Sequence, residues 1–287
     1  MGSKLKPDWA GGDLLSSFIN HLIQIKPIYA VMKYQARQVL IKTAEQNGIP
    51  WQQNYQSLER SGAKGLLNKI TNPTVTYPDY YLVPFHAYSA GNLCWKAAFE
   101  APSAIQSMAL RVWPKENLSW QTAQNRLRHS FHQVLGEYGP HPVANILDMG
   151  CSTGISTRTL HQYYTSRQDV KVETVGLDLS PYMLAVAQAL DIQSDISSWI
   201  HAQAEDTGLS DESFDVVTLQ FVTHELPRQA TRNIFQEIMR ILRPGGCLAL
   251  VDTNPTSPVI QNLPPTLFTL LKSTEPWSDD YYTFDME

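Results

Sequence analysis

The chain has 287 residues, 43% of them hydrophobic, with 22 Lys and Arg against 27 Asp and Glu and a formal charge of −5. That length suits one large domain, or one domain with an extension, and the apolar content can fill a core. The acidic balance argues against a protein that grips nucleic acid through its phosphates, no apolar run approaches the ~20 residues of a membrane span, and three well-separated cysteines (Cys94, Cys151, Cys247) point to a reducing, cytoplasmic setting without disulfides.

Residues 13–47 carry apolar side chains at three-to-four spacing, Phe18, Ile19, Leu22 and Ile23 before Pro27 and Tyr29, Val31, Met32, Val39 and Leu40 after it. The pattern predicts two helices with a break at the proline. Residues 50–100 read as an aromatic, proline-bearing loop, with Trp51, Tyr55, Tyr80, Phe85 and Trp95 among Pro73, Pro78 and Pro84. Helical patterns follow at 92–101 and 103–113, with Pro102 as punctuation. A longer helix is expected at 118–137, with Ala123, Leu127, Phe131, Val134 and Leu135 on one face and Arg126, Arg128 and His129 mostly off it. His129 and His132 are spaced i, i+3 but lack an acidic or Cys partner, so a solvated face is expected there and no metal site.

The most informative stretch begins at residue 145. Asn145-Ile146-Leu147-Asp148 is an apolar run ending in a carboxylate, Gly150-Cys151-Ser152-Thr153-Gly154 is a run of small residues, and Ile155 opens a helical pattern. This reads as strand, tight turn and helix, and small residues let a ligand approach the backbone and the free N–H groups of the helix. A second strand at 172–178 ends in Asp178, 28 residues after Gly150, where a carboxylate can accept both ribose hydroxyls of a nucleoside. Strands are also expected at 199–202, 214–222 and 247–252, with a helix at 231–242 stopped by Arg243-Pro244-Gly245-Gly246. Strands alternating with helices predict an α/β fold with a doubly wound, mainly parallel sheet.

Residues 144–252 resemble class I S-adenosylmethionine (SAM) methyltransferases. The resemblance rests on the acidic-x-Gly-x-Gly-x-Gly pattern at Asp148 to Gly154, with Ser152 where the middle Gly usually stands. It also rests on Ser213-Phe214-Asp215-Val216-Val217 and Leu242-Arg243-Pro244-Gly245-Gly246 in the family's order. It implies SAM as cofactor, with S-adenosylhomocysteine (SAH) as product, and a cofactor site of Asp148, Gly150, Cys151, Ser152, Gly154, Asp178, Leu179, Gln203, Ala204, Gln220 and Phe221. Gln203 stands where the family commonly has an acid, and its amide oxygen can still meet the adenine amino group. Methyl transfer mainly requires alignment in a water-poor pocket, and a base only if the acceptor arrives protonated. His224, at the mouth of the sheet after the fourth strand, is the candidate base, with Glu225, Asp252, Thr253 and Asn254 as other rim groups.

Residues 1–140 are expected to form a helical and aromatic extension that acts as lid and acceptor pocket over a SAM-binding core at 141–287. Tyr77, Tyr81, His86 and Tyr88 are the candidate acceptor contacts, for a small, mostly apolar or aromatic molecule. A SAM-binding protein without transferase activity and an aminopropyltransferase-like enzyme are the alternatives. Only 35 residues follow Asp252, so the two-strand antiparallel edge usual in this family is expected to be incomplete, or its place covered by the extension.

Overall fold

A computed structural model of the chain describes residue 21, residues 25–264, 268 and 271, and residues 274–283. The sequence also predicts a short helix at 267–272; most of it, and most of the helix expected before residue 25, lies outside those residues. Helix α1 (Lys26–Gln46) carries Pro27 in its first turn, where its missing N–H costs nothing, so the proline opens this helix. Two helices, α2 (Trp51–Arg60) and α3 (Ala63–Ile70), occupy a stretch expected to be loop. In α2, Trp51 and Leu58 recur seven residues apart on the buried side, and that spacing outweighs the aromatic content. The true loop runs from residue 71 to 94, with one 3₁₀ turn at Asp79–Tyr81. Helix α4 (Trp95–Leu110) passes through Pro102 without a break. In α5 (Trp120–Tyr138), capped by Ser119, Arg128 and His132 are buried and Val134 is exposed, the reverse of the sequence expectation for all three.

Five parallel strands follow: β1 (Asn145–Met149), β2 (Glu173–Asp178), β3 (Ser198–His201), β4 (Phe214–Gln220) and β5 (Leu242–Val251), in the order β3-β2-β1-β4-β5. Helix α6 (Ile155–Thr165) links β1 to β2, α7 (Pro181–Leu190) links β2 to β3, and α8 (Arg228–Ile241) links β4 to β5. The winding direction reverses between β1 and β4, and open α/β sheets form their ligand crevice at such a reversal, beyond the carboxyl ends of the strands. Strand β4 ends before Phe221 because that residue is left-handed, at φ 60. Strand β5 begins earlier than expected, since Phe214 pairs with Leu242 and Val216 with Cys247, making 243–246 a bulge in the strand.

The two faces of the sheet differ. On one, Leu147, Met149, Val217 and Leu219 stay apolar to the strand ends and pack against Ile234, Ile238 and Ile241 of α8. On the other, Ile146 and Val216 pack with Leu135 of α5 and Leu160 of α6. Two residues further along each strand the same face turns polar, at Asp148 and Thr218. The extension is fastened to α7 by a cluster of Leu58, Ala98, Phe99, Met183 and Val186.

After β5 come α9 (Pro258–Gln261) and α10 (Ser278–Tyr282). The sequence at 281–284 reads as a strand start or a loop, but Tyr281 and Tyr282 are helical and pack with Phe268. Among the described residues no antiparallel strand joins β5.

Gly154, left-handed at φ 71, caps α6, and a Cβ there would strike the ring of Trp199. Gly154→Ala should therefore destabilise the protein by about 2–4 kcal/mol, adding left-handed strain to overpacking. Differential scanning calorimetry would show the loss, and a midpoint within a degree of the parent would contradict it.

Candidate active site

The floor of the crevice is the polar layer at the ends of β1 and β4. Asp148, 1% exposed, accepts hydrogen bonds from Ser156 Oγ (2.7 Å) and Thr157 Oγ1 (2.7 Å) on one oxygen and from Thr218 Oγ1 (2.6 Å) on the other. Gln220 Nε2 lies 3.5 Å from that second oxygen, and Gln220 Oε1 accepts from Arg128 Nη1 at 2.7 Å. Burial lowers the Arg128 pKa, and the Asp148 carboxylate works against that shift. Arg128 Nε is buried with no hydrogen-bond partner among the described residues, an expensive state for a cation.

The turn after β1 leans on Asp178. Its two oxygens accept from Ser152 N (2.7 Å) and Ser180 N (2.8 Å), and Ser152 is itself left-handed, at φ 50. Burial raises the carboxyl to about 6 against these hydrogen bonds, and the charge of Asp148 adds to the rise. Cys151 is buried, and burial with the neighbouring Asp178 and Asp148 charges pushes its thiol well up. A thiol held neutral is a wall and not a nucleophile.

The 71–94 loop crosses the strand ends on the β3 side. His201 Nδ1 accepts from Asn72 N at 3.0 Å, which leaves the ring proton on Nε2 for Leu179 O (3.1 Å), with the Tyr77 hydroxyl 3.2 Å away. Gln203 Nε2 donates to Thr76 Oγ1 at 3.1 Å, while Ala204 packs against the core. Ser180 Oγ donates to Asn92 O at 2.7 Å, and Tyr80 donates to Glu205. Tyr88 is engaged elsewhere, its hydroxyl donating at 2.5 Å to buried Glu100, which also receives Arg37 of α1.

On the β4 and β5 side, the 3₁₀ turn Thr223–Glu225 presents His224. His224 Nδ1 lies 2.6 Å from Asp252 Oδ1, and the other Asp252 oxygen accepts from Thr223 Oγ1 (2.6 Å) and His224 N (3.1 Å). Burial alone would lower His224, but the hydrogen bond and charge of Asp252, with Glu225 and Glu275 behind, raise it to about 9. Burial pushes Glu225 up to about 8, against the pull of His224. Tyr80, Tyr81, Phe85, Asn92, Glu225 and Leu226 wall the cleft. His86 faces Glu225, with Nε2 3.3 Å from Oε1. The C-terminal segment closes this side, with Trp277 Nε1 donating to Tyr80 O (3.4 Å) and the Tyr281 hydroxyl to Thr253 O (2.5 Å).

The fold thus gathers Asp148, the 150–154 turn, Asp178, Leu179, Gln220 and Phe221 at one crevice. His224, Tyr81 and His86 stand beside it, Tyr77 sits at His201, and Tyr88 belongs to the α1–α4 packing. Sequence reasoning missed Arg128 and His201. An arginine among apolar helix positions and a histidine ending an apolar strand were the available signals.

A doubly wound parallel sheet with a glycine-bearing turn after β1 and an acid closing β2 is a nucleoside-cofactor-binding domain. Residues 147–250 match the family described as methyltransferase domain. A demethylmenaquinone methyltransferase of Lactiplantibacillus plantarum is 31% identical over 138 residues, covering 47% of this chain and 56% of the relative. An uncharacterised methyltransferase of Synechocystis sp. is 31% identical over 146 residues, covering 50% and 64%. Among solved structures, phosphoethanolamine N-methyltransferase 2 of Haemonchus contortus, in complex with SAM, is 20% identical over 52% of this chain and 33% of its own, with a TM-score of 0.39. The chain spans 56% and 64% of the lengths of the two curated relatives. The segment 147–250 is a class I SAM-dependent methyltransferase domain. Among the described residues no helix is long and apolar enough to cross a membrane.

Proposed function

We propose that this chain transfers the methyl group of SAM to a small, mostly apolar or aromatic acceptor bearing an ionisable hydroxyl. The observation that carries the reading is the half-buried His224–Asp252 pair standing beside a cleft walled by Tyr80, Tyr81, Phe85 and Leu226. Relatives named for demethylmenaquinone support a small-molecule acceptor.

The residues present suit the cofactor. Asp178 would take the ribose hydroxyls, and Leu179, Gln203 and Ala204 would border the adenine. The buried, unpartnered Nε of Arg128 offers a charged donor for the cofactor's carboxylate. The turn at Gly150, Cys151, Ser152 and Gly154 would lie against its backbone-like portion, with Gln220 and Phe221 at the methyl-bearing end. Bound SAM supplies an electrophilic methyl group on a sulfonium. The protein aligns the acceptor between aromatic walls, excludes water, and removes the hydroxyl proton at His224 Nε2 while Asp252 holds the ring through Nδ1.

Calorimetric titration with SAH tests the cofactor half of this reading. Asp178→Ala should weaken SAH by about 5- to 150-fold, the loss of roughly 1–3 kcal/mol of hydrogen bonding. Affinity of the parent should also fall as the pH is lowered through about 6, because protonating Asp178 removes an acceptor. Unchanged binding by a folded Asp178→Ala protein would remove the ribose assignment. Folded parent that binds neither SAM nor SAH would end the reading altogether. A screen of phenolic and enolic acceptors, with mass spectrometry of any co-purified ligand, tests the acceptor half.

A further inference from the structure

We propose that Glu225 and His86 form the proton exit of this site, carrying the proton taken up by His224 to solvent. The inference rests on the base role of His224 given above. Side-chain exposure rises stepwise along the path, from 2% at Asp252 and 11% at His224 to 25% at Glu225 and 38% at His86. Glu225 follows His224 in sequence and is electrostatically coupled to it. Its Oε1 lies 3.3 Å from His86 Nε2.

The backbone is strained where it places His86. Phe85 N donates to Tyr88 O (3.1 Å) and Tyr88 N to Phe85 O (2.7 Å), closing a two-residue turn whose central residues, His86 and Ala87, both have positive φ (47 and 68). Turns of this shape favour Asn-Gly, because side chains with a Cβ are crowded there. His86 N is pinned to Thr274 O at 2.9 Å. A histidine forced into this geometry, its ring aimed at a carboxyl inside a cleft, is strain kept where function uses it.

The groups facing the path are Asp252, Glu275, Asp178, Tyr81 and Tyr281, with Arg111 acting on Glu275 from behind. The protein packed on its cleft side strips water from part of the His86 ring and, with the charge of His224, lowers its pKa, so the ring is neutral. A neutral imidazole can accept on one nitrogen while giving up the proton of the other. The His224 Nε2–H bond breaks as its proton passes to one Glu225 oxygen. The Glu225 O–H proton passes to His86 Nε2 as His86 Nδ1–H is released to water. No electrons leave the protein, and return of the ring to its first tautomer resets the path.

The test needs no acceptor. A cation bound in the cleft disfavours imidazolium, so saturating SAM should expel about half to one proton per site at pH 8. SAH, uncharged at sulfur, should expel much less. Stopped-flow mixing with an indicator dye in weak buffer follows the proton, and tryptophan fluorescence follows binding. In the parent the two should coincide. In His86→Asn, which tolerates the left-handed backbone, and in Glu225→Gln, proton release should lag binding at least tenfold, and added imidazole should restore it in His86→Asn. Release without lag in both variants would overturn the exit and leave the base role of His224 standing. No release from the parent would overturn that base role and the exit with it. His86→Asn should melt at or above the parent temperature, and a drop of several degrees would instead make His86 a structural residue.

Discussion

Replacing His224 with alanine is expected to lower methyl transfer to the identified acceptor by ~100- to 10,000-fold, the usual worth of a positioned base, while SAH still binds. The pH dependence gives the sharper signature. With His224 raised to about 9 by its Asp252 partner, only about one molecule in a hundred of the free enzyme carries the neutral ring at pH 7. The parent's kcat/KM should rise about tenfold per pH unit from 7 toward 9 and then level. The alanine variant should rise only as the acceptor ionises by itself. Asp252→Asn should move the parent's plateau to lower pH. Stability runs the other way: a group whose folded pKa lies above its unfolded value of 6.5 contributes fully below about 6.5 and nothing above about 9. Loss of the His224–Asp252 pairing across that interval should remove on the order of 3 kcal/mol, seen as a falling thermal midpoint. A flat kcat/KM profile, or an alanine variant as fast as the parent, would remove His224 from the chemistry.

Asp148→Ala should be the most destabilising single change in the sheet, by about 3–5 kcal/mol. The carboxylate is the shared acceptor of three hydroxyls from α6 and β4 and the countercharge of Arg128. Removing it leaves those donors and a buried cation unsatisfied at once, and the thermal midpoint should fall by roughly 6–15 °C. Asp148→Asn, which keeps an acceptor oxygen but loses the charge, should fall between the two. If Asp148→Ala melted within 2 °C of the parent and failed only to bind SAH, the residue would be a cofactor ligand and not the anchor of the floor.

The sheet was readable because the apolar runs at β1 and β4 are local and nearly unbroken, as strands covered on both faces must be. The turn with its two acids was readable because tight backbone approach admits few residue types. Arg128 was not, because its partners Gln220 and Asp148 come from two different strands, and nothing local distinguishes an arginine satisfied across the fold from one in water. Helix α2 was hidden by tryptophan and tyrosine, which suggest loop only until Trp51 and Leu58 are seen to share a face. Pro102 misled in the opposite sense, since one missing N–H inside a helix whose flank is buried by Ala98 and Phe99 is outweighed by that packing. Near the chemistry, Asp252 and Glu225 were visible only as rim groups, and their coupling to His224 is a property of how β4 and β5 end side by side.

The closure of the cleft by Thr274, Trp277 and Tyr281 bears on the order in which this protein becomes competent. Every pairing in the sheet joins residues between 145 and 251, whereas the Trp277–Tyr80 bond reaches across 197 residues and the Thr274–His86 bond nearly as far. The sheet closes over shorter stretches of chain than the wall does, so in folding the strands can pair first and the far wall of the cleft settle onto them last.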